Sequence, residues 1–174
     1  MENRYKIPFE LGTWAGLVAF GYFLVIWLTP LSPLGFARFG GAWIPILFLF
    51  LAVYRQMKKN GPLGLTFGSA FMTGITTVLV LGILKALLVY IMLEYIDITL
   101  IDRTHAEYIN VLERMRTFSP DQANIDEQIQ TIRDAGENTN ALSMASGEVN
   151  LYFMGGIPVA LLAALIFNRK PENA

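Results

Sequence analysis

Residues 67–93 read FGSAFMTGITTVLVLGILKALLVYIML, and this stretch decides the fold. A helix that crosses the hydrocarbon core needs about 20 mostly apolar residues, because every backbone donor and acceptor must be satisfied within the segment. This one has 27 residues and a single charge, Lys85, so it is long enough to cross with some tilt. Three further segments meet the same requirement. No charge falls between Glu10 and Arg38, which places a span at 11–29, ended by Pro30 and Pro33. A second and shortest span, 39–54, runs through Trp43 and Pro45 and stops at Arg55, Lys58, Lys59 and the Asn60-Gly61-Pro62 turn signal. The last, 149–168, ends at Arg169-Lys170.

The composition of the whole chain agrees. Of its 174 residues 54% are hydrophobic and 16% charged, against about 25% charged in ordinary soluble domains. The absence of cysteine excludes a disulfide framework, a thiolate metal site and a cysteine nucleophile. A formal net charge of -1 speaks against nucleic acid as a partner. The chain, residues 1–174, reads as a single membrane domain. Its first span is too long for the roughly 7 to 15 apolar residues of a signal-peptide core and is followed by no A-x-A site, so it is expected to stay.

Four spans place both termini on one side. That side and the loop between spans two and three hold Arg4, Lys6, Arg55, Lys58, Lys59, Arg169 and Lys170. Cytoplasmic loops retain lysine and arginine, so both termini are expected in the cytoplasm and the segment 94–148 in the periplasm. That segment carries eleven acids against four arginines. Tyr108, Val111, Leu112, Met115 and Phe118 recur at helical steps, as do Ile125, Ile129 and Ile132, which predicts two amphipathic helices ending near Gly136. Ser119-Pro120-Asp121-Gln122 reads as the capped start of the second. Residues 138–146 read as a flexible polar return. Two short helices need burial, so they pack on each other, lie at the membrane interface, or offer Leu112, Met115, Ile125, Ile129 and Ile132 as a docking face for a partner protein.

Lys85 is the one ionisable residue deep in a span. A charge at the centre of a bilayer helix costs about 2.5–3.5 kcal/mol on the insertion scale, an amount the apolar residues around it offset. By default such a residue is a candidate functional group. No carboxylate of the chain stands at its depth when Glu94 and Glu148 are taken as mouth residues, so Lys85 is read as snorkelling, as pairing with an acid of another subunit, or as lining a transport path. Gly12 and Gly16, Ala70 and Gly74, and Gly156, Ala160 and Ala164 have the spacing of close helix packing. Gly155 and Pro158 are a candidate hinge in the fourth span. His105 beside Asp102 and Glu107 is read as a solvated cluster, and no catalytic, cofactor or metal motif is evident.

The basic turn at 55–60, followed by Gly64-Leu-Thr-Phe-Gly68-Ser-Ala-Phe71 and Gly74 at the entry to span three, resembles the four-span family called domain of unknown function 4199, found mainly in Bacteroidetes. Tyr95-Ile96-Asp97, the acidic external helices and the basic end are similar too. The resemblance implies a Gram-negative inner-membrane location and supplies no catalytic residues. The sequence therefore predicts an all-α polytopic membrane protein, four transmembrane helices with an acidic two-helix periplasmic hairpin between spans three and four. Its expected role is that of a non-enzymatic accessory or scaffold subunit of a larger inner-membrane complex. Its expected partners are membrane lipids and other membrane protein subunits or further copies of itself. A small oligomeric transporter or channel using Lys85, and a membrane enzyme acting on lipid or envelope precursors, are the alternatives.

Overall fold

The computed structural model describes residues 5–61, 64–118 and 122–168, with the side chain of Glu137 left aside. Six α-helices make up most of it: α1 (Lys6–Trp27), α2 (Trp43–Asn60), α3 (Phe67–Ile91), α4 (Leu100–Arg116), α5 (Gln122–Asn138) and α6 (Ala141–Phe167). A 3-10 turn, Phe36–Gly41, leads into α2, and a π turn, Met92–Ile96, extends α3. With these extensions α1, α2, α3 and α6 are long and apolar enough to cross a membrane.

Each boundary has a local cause. The α1 helix ends before Pro30 and Pro33, where Thr29 turns its hydroxyl back onto the Ile26 carbonyl at 2.6 Å. After α2 the chain reverses through Gly61 and Gly64, whose φ angles of 55° and 66° suit glycine, and the Asn60 amide ties the turn by donating to the Gly64 carbonyl. At the start of α6 the Asn140 side chain accepts from the Ser143 amide at 2.8 Å while the Ser143 hydroxyl accepts from the Asn140 amide at 3.0 Å, a reciprocal cap. This cap corrects the reading of 138–146 as a flexible return and of the fourth span as starting at 149: the helix begins at Ala141. The capping segment proposed for the second external helix, Ser119 to Asp121, and the basic end Arg169-Lys170 lie outside the described residues.

Helix α3 sits at the centre and packs on α1, α2 and α6. Close approach is set by small residues. A Cβ on Gly12 would stand 2.7 Å from the Thr77 carbonyl oxygen of α3, and Gly16 faces Leu84 and the Leu81 carbonyl. On the other side of α3, Gly74 lies against Ala160, and a Cβ on Gly156 would come 2.7 Å from a methyl of Val78. Ala70, Ala160 and Ala164 are fully buried among Leu49, Val53, Leu65 and Val78. Between spans, α4 and α5 pack on each other, with Gly136 against the His105 ring and an Arg116–Asp126 ion pair at 3.0 Å near the opposite end of the pair.

The connection between α1 and α2 is strapped to α4. Glu107 accepts from the Ser32 amide at 2.7 Å and from the Phe36 amide at 3.3 Å, and the Ser32 and Thr104 hydroxyls meet at 2.6 Å. Nearby, the Trp27 indole donates to Asp97 at 2.8 Å. This bond, together with the Thr99 hydroxyl and the Arg103 guanidinium, holds the Asp97 carboxyl below its ordinary range against a smaller opposing effect of burial.

Candidate functional site

The strapped connection carries Arg38, which meets a charged pair buried between α3 and α6. Lys85 lies six residues before the end of α3, about 9 Å along the axis. Glu148 lies seven residues into α6, about 10 Å along. Their depths match, and Lys85 Nζ donates to Glu148 Oε2 at 2.5 Å. Tyr152, one turn further along α6, accepts from Lys85 Nζ at 2.9 Å and offers its ring 4.9 Å away. Gly82, one turn before Lys85, faces Tyr152 and Val149 of α6. Lys85 is 4% and Glu148 2% exposed.

The intramolecular partner corrects the expectation that the chain has no carboxylate at the depth of Lys85. A fourth span starting at 149 leaves Glu148 at the mouth. With the helix beginning at Ala141, Glu148 is two turns inside. Lys85 does not snorkel, since its ammonium is enclosed between α3 and α6.

The second oxygen of Glu148 faces Arg38, with Nη1 at 3.7 Å from Oε1. This is an ion-pair distance and too long for a hydrogen bond. The guanidinium lies over the Phe39 ring at 5.1 Å, and its Nε is buried without a hydrogen-bond partner. Arg38 and Lys85 against Glu148 give the cluster two positive charges and one negative. One positive charge is left over, and the incompletely bonded group is Arg38.

Beside the cluster a cavity of about 230 Å³ opens between α2 and α6. Ala42, Pro45 and Ile46 form one wall and Leu151, Gly155 and Val159 the other, with Val78 of α3 as the floor and Arg38, Lys85 and Tyr152 at one end. The site thus combines an apolar trough with a cationic end. Among the described residues no three histidines, acids or cysteines come together as metal ligands.

Of the residues singled out from sequence, Lys85 and Gly155 border this site, and Gly156 both lines it and packs on α3. Pro158 lies within continuous α6. The five apolar residues read as a docking face are divided: Ile125 and Ile129 are buried, and Leu112 and Ile132 half-buried, so only Met115 is exposed. Part of that face is buried where α5 packs against α4. Arg38, Glu148 and Tyr152 were not anticipated. The signal for the last two was present, since an acid and a tyrosine four residues apart fall on one helix face. Arg38 could not be found from local pattern, because its place depends on the strap through Glu107.

Residues 4–169, nearly the whole chain, match the family described as protein of unknown function (DUF4199), and the chain belongs to that family. No curated protein and no solved structure matches it.

Proposed function

We propose that this family member is a non-enzymatic accessory protein of the bacterial inner membrane that holds a second membrane component in the trough between α2 and α6. Both termini face the cytoplasm and the α4–α5 hairpin faces the periplasm in this reading, following the distribution of lysine and arginine. The observation that carries it is the trough itself: an apolar cleft ending on an arginine whose Nε has no partner. The arrangement has features of a binding site, namely concave apolar walls with a few convergent polar groups. Chemistry finds little support, because Lys85 is engaged by Glu148 and Tyr152 and no base stands free beside it. Conduction within one protomer finds little support either, since the bundle beyond the trough is closed by Leu49, Val53, Leu65 and Val78.

Purification at native abundance in mild detergent, followed by native mass spectrometry, tests the reading. A component retained by the wild type and lost from Gly155→Leu is the expected result. A Cβ at Gly155 meets nothing within 4 Å, so the leucine occupies the trough without a clash at its Cβ. Wild-type protein that carries no second component refutes the reading.

A further inference from the structure

We infer that the occupant of the trough is a monoanionic phospholipid of the surrounding bilayer, its phosphate on Arg38 and one acyl chain laid between α2 and α6. The inference rests on the binding role proposed above and names the ligand class of that site.

The cavity of about 230 Å³ runs along α2 from Ala42 to Leu49, about 10 Å of helix, and takes part of one flexible chain. The walls suit a chain as well: they are aliphatic apart from Phe39 at the mouth and Tyr152 beside the ammonium.

Charge decides the headgroup. Arg38, Lys85 and Glu148 leave one uncompensated positive charge at one end of an apolar cleft, an arrangement that attracts an anion. Lys85 is already satisfied by Glu148 and Tyr152, whereas Arg38 has Nε unpartnered and Nη1 only loosely paired. A guanidinium presents two parallel N–H groups, a geometry that fits phosphate oxygens. Arg38 precedes α2, whose N-terminus adds a positive potential at the same end. The exposed Phe39 and Trp43 flank it as residues at headgroup level do. A zwitterionic lipid would bring a choline or ethanolamine cation into a cluster that already has a cation in excess.

The test reconstitutes the full chain into nanodiscs of equal phosphatidylglycerol and phosphatidylcholine, and reads the lipid that stays bound after release by native mass spectrometry. The wild type should retain one phosphatidylglycerol with a preference of about tenfold or more over phosphatidylcholine, the order expected of one charge-assisted hydrogen bond. Arg38→Gln should abolish the preference, Arg38→Lys should keep part of it, and Gly155→Leu should expel lipid of either kind. Equal retention of the two lipids by the wild type, or an undiminished preference in Arg38→Gln, overturns the inference. A polypeptide or a free fatty acid retained in native-abundance preparations in place of phospholipid overturns it too, while the binding role stands. A wild type that retains nothing refutes both.

Discussion

Neutralising Glu148 should cost more than neutralising Lys85, although each change removes one charge of the same ion pair. Glu148→Gln leaves Arg38 and Lys85 facing each other with no anion, and Lys85, at 4% exposure, cannot reach water. The cost is then that of an unpaired charge inside a span, about 3 kcal/mol on the insertion scale. Lys85→Met leaves Glu148 with Arg38 at 3.7 Å, a neutral pair, and loses the interhelical hydrogen bonds to Glu148 and Tyr152. That loss should be about 1 kcal/mol, since interhelical hydrogen bonds in membranes average about 0.6 kcal/mol each. The double variant removes the pair and leaves only Arg38, which is 28% exposed in its side chain and can hydrate. It should therefore be more stable than Glu148→Gln alone by about 2 kcal/mol, a rescue that additivity forbids. Reversible unfolding of the detergent-solubilised protein, followed by far-ultraviolet circular dichroism, measures all three. Equal costs for the two single variants, or a double variant as unstable as their sum, would refute the assignment of Glu148 as the anion shared by two cations.

Three other expectations use the same unfolding assay or tryptophan emission. Gly12→Ala should destabilise by about 1–3 kcal/mol, because its Cβ would press to 2.7 Å on the Thr77 carbonyl, while Gly155→Ala, with nothing near its Cβ, should be neutral or stabilising by up to about 1 kcal/mol; the reverse order would mean that α1 is not seated on α3 through Gly12. Glu107→Ala leaves the Ser32 and Phe36 amides without their acceptor and should cost about 1–3 kcal/mol, and Gly35→Ala, whose Cβ would meet the Glu107 carboxylate, should destabilise the same strap; a silent pair would show that the strap contributes nothing. Asp97 is held below the ordinary carboxyl value of 3.8, so its contribution is present above about pH 4 and is lost as pH falls through the lowered value. Trp27 emission should then shift on acidification, and Asp97→Asn should remove that step; an unchanged acid transition in Asp97→Asn would contradict the role of the indole bond.

The sequence made the long helices legible because burial in a bilayer leaves a one-dimensional record. Each span is a run of apolar residues, and prolines 30 and 33 or the basic turn at 55–60 mark where it stops. The small-residue spacings at Gly12, Gly16, Gly74 and Gly156 were equally visible, since they are properties of single helices. What the sequence hid was the site. Residues 138–146 read as a loop because they are small and polar, yet Ser143 and Ser146 satisfy their hydroxyls on backbone carbonyls at the start of α6. Hydropathy cannot distinguish such a residue from a solvated one. The eight residues lost from the helix were the ones that carry Glu148 to the depth of Lys85. Arg38 was hidden for another reason, because its position is set by Glu107, 69 residues away in the chain.

The placement of the charges has a consequence for how the bundle is specified. Helices α3 and α6 meet along Gly74, Ala160, Val78 and Gly156, a surface of small and β-branched residues on which a one-turn slip would still find apolar partners. Such a surface defines closeness better than register. The Lys85–Glu148 pair supplies what it lacks, since a slip of one turn, 5.4 Å, would separate the charges and strand both in an apolar environment. Tyr152 extends the lock to a second turn of α6. The same pair fixes the charge of the trough, because Glu148 divides its two oxygens between Lys85 and Arg38 and neutralises only one of them. Register of the bundle and affinity of the trough for an anion therefore depend on a single carboxylate, so Glu148→Gln should loosen helix packing and strengthen anion retention together, whereas a change at Arg38 should affect retention alone.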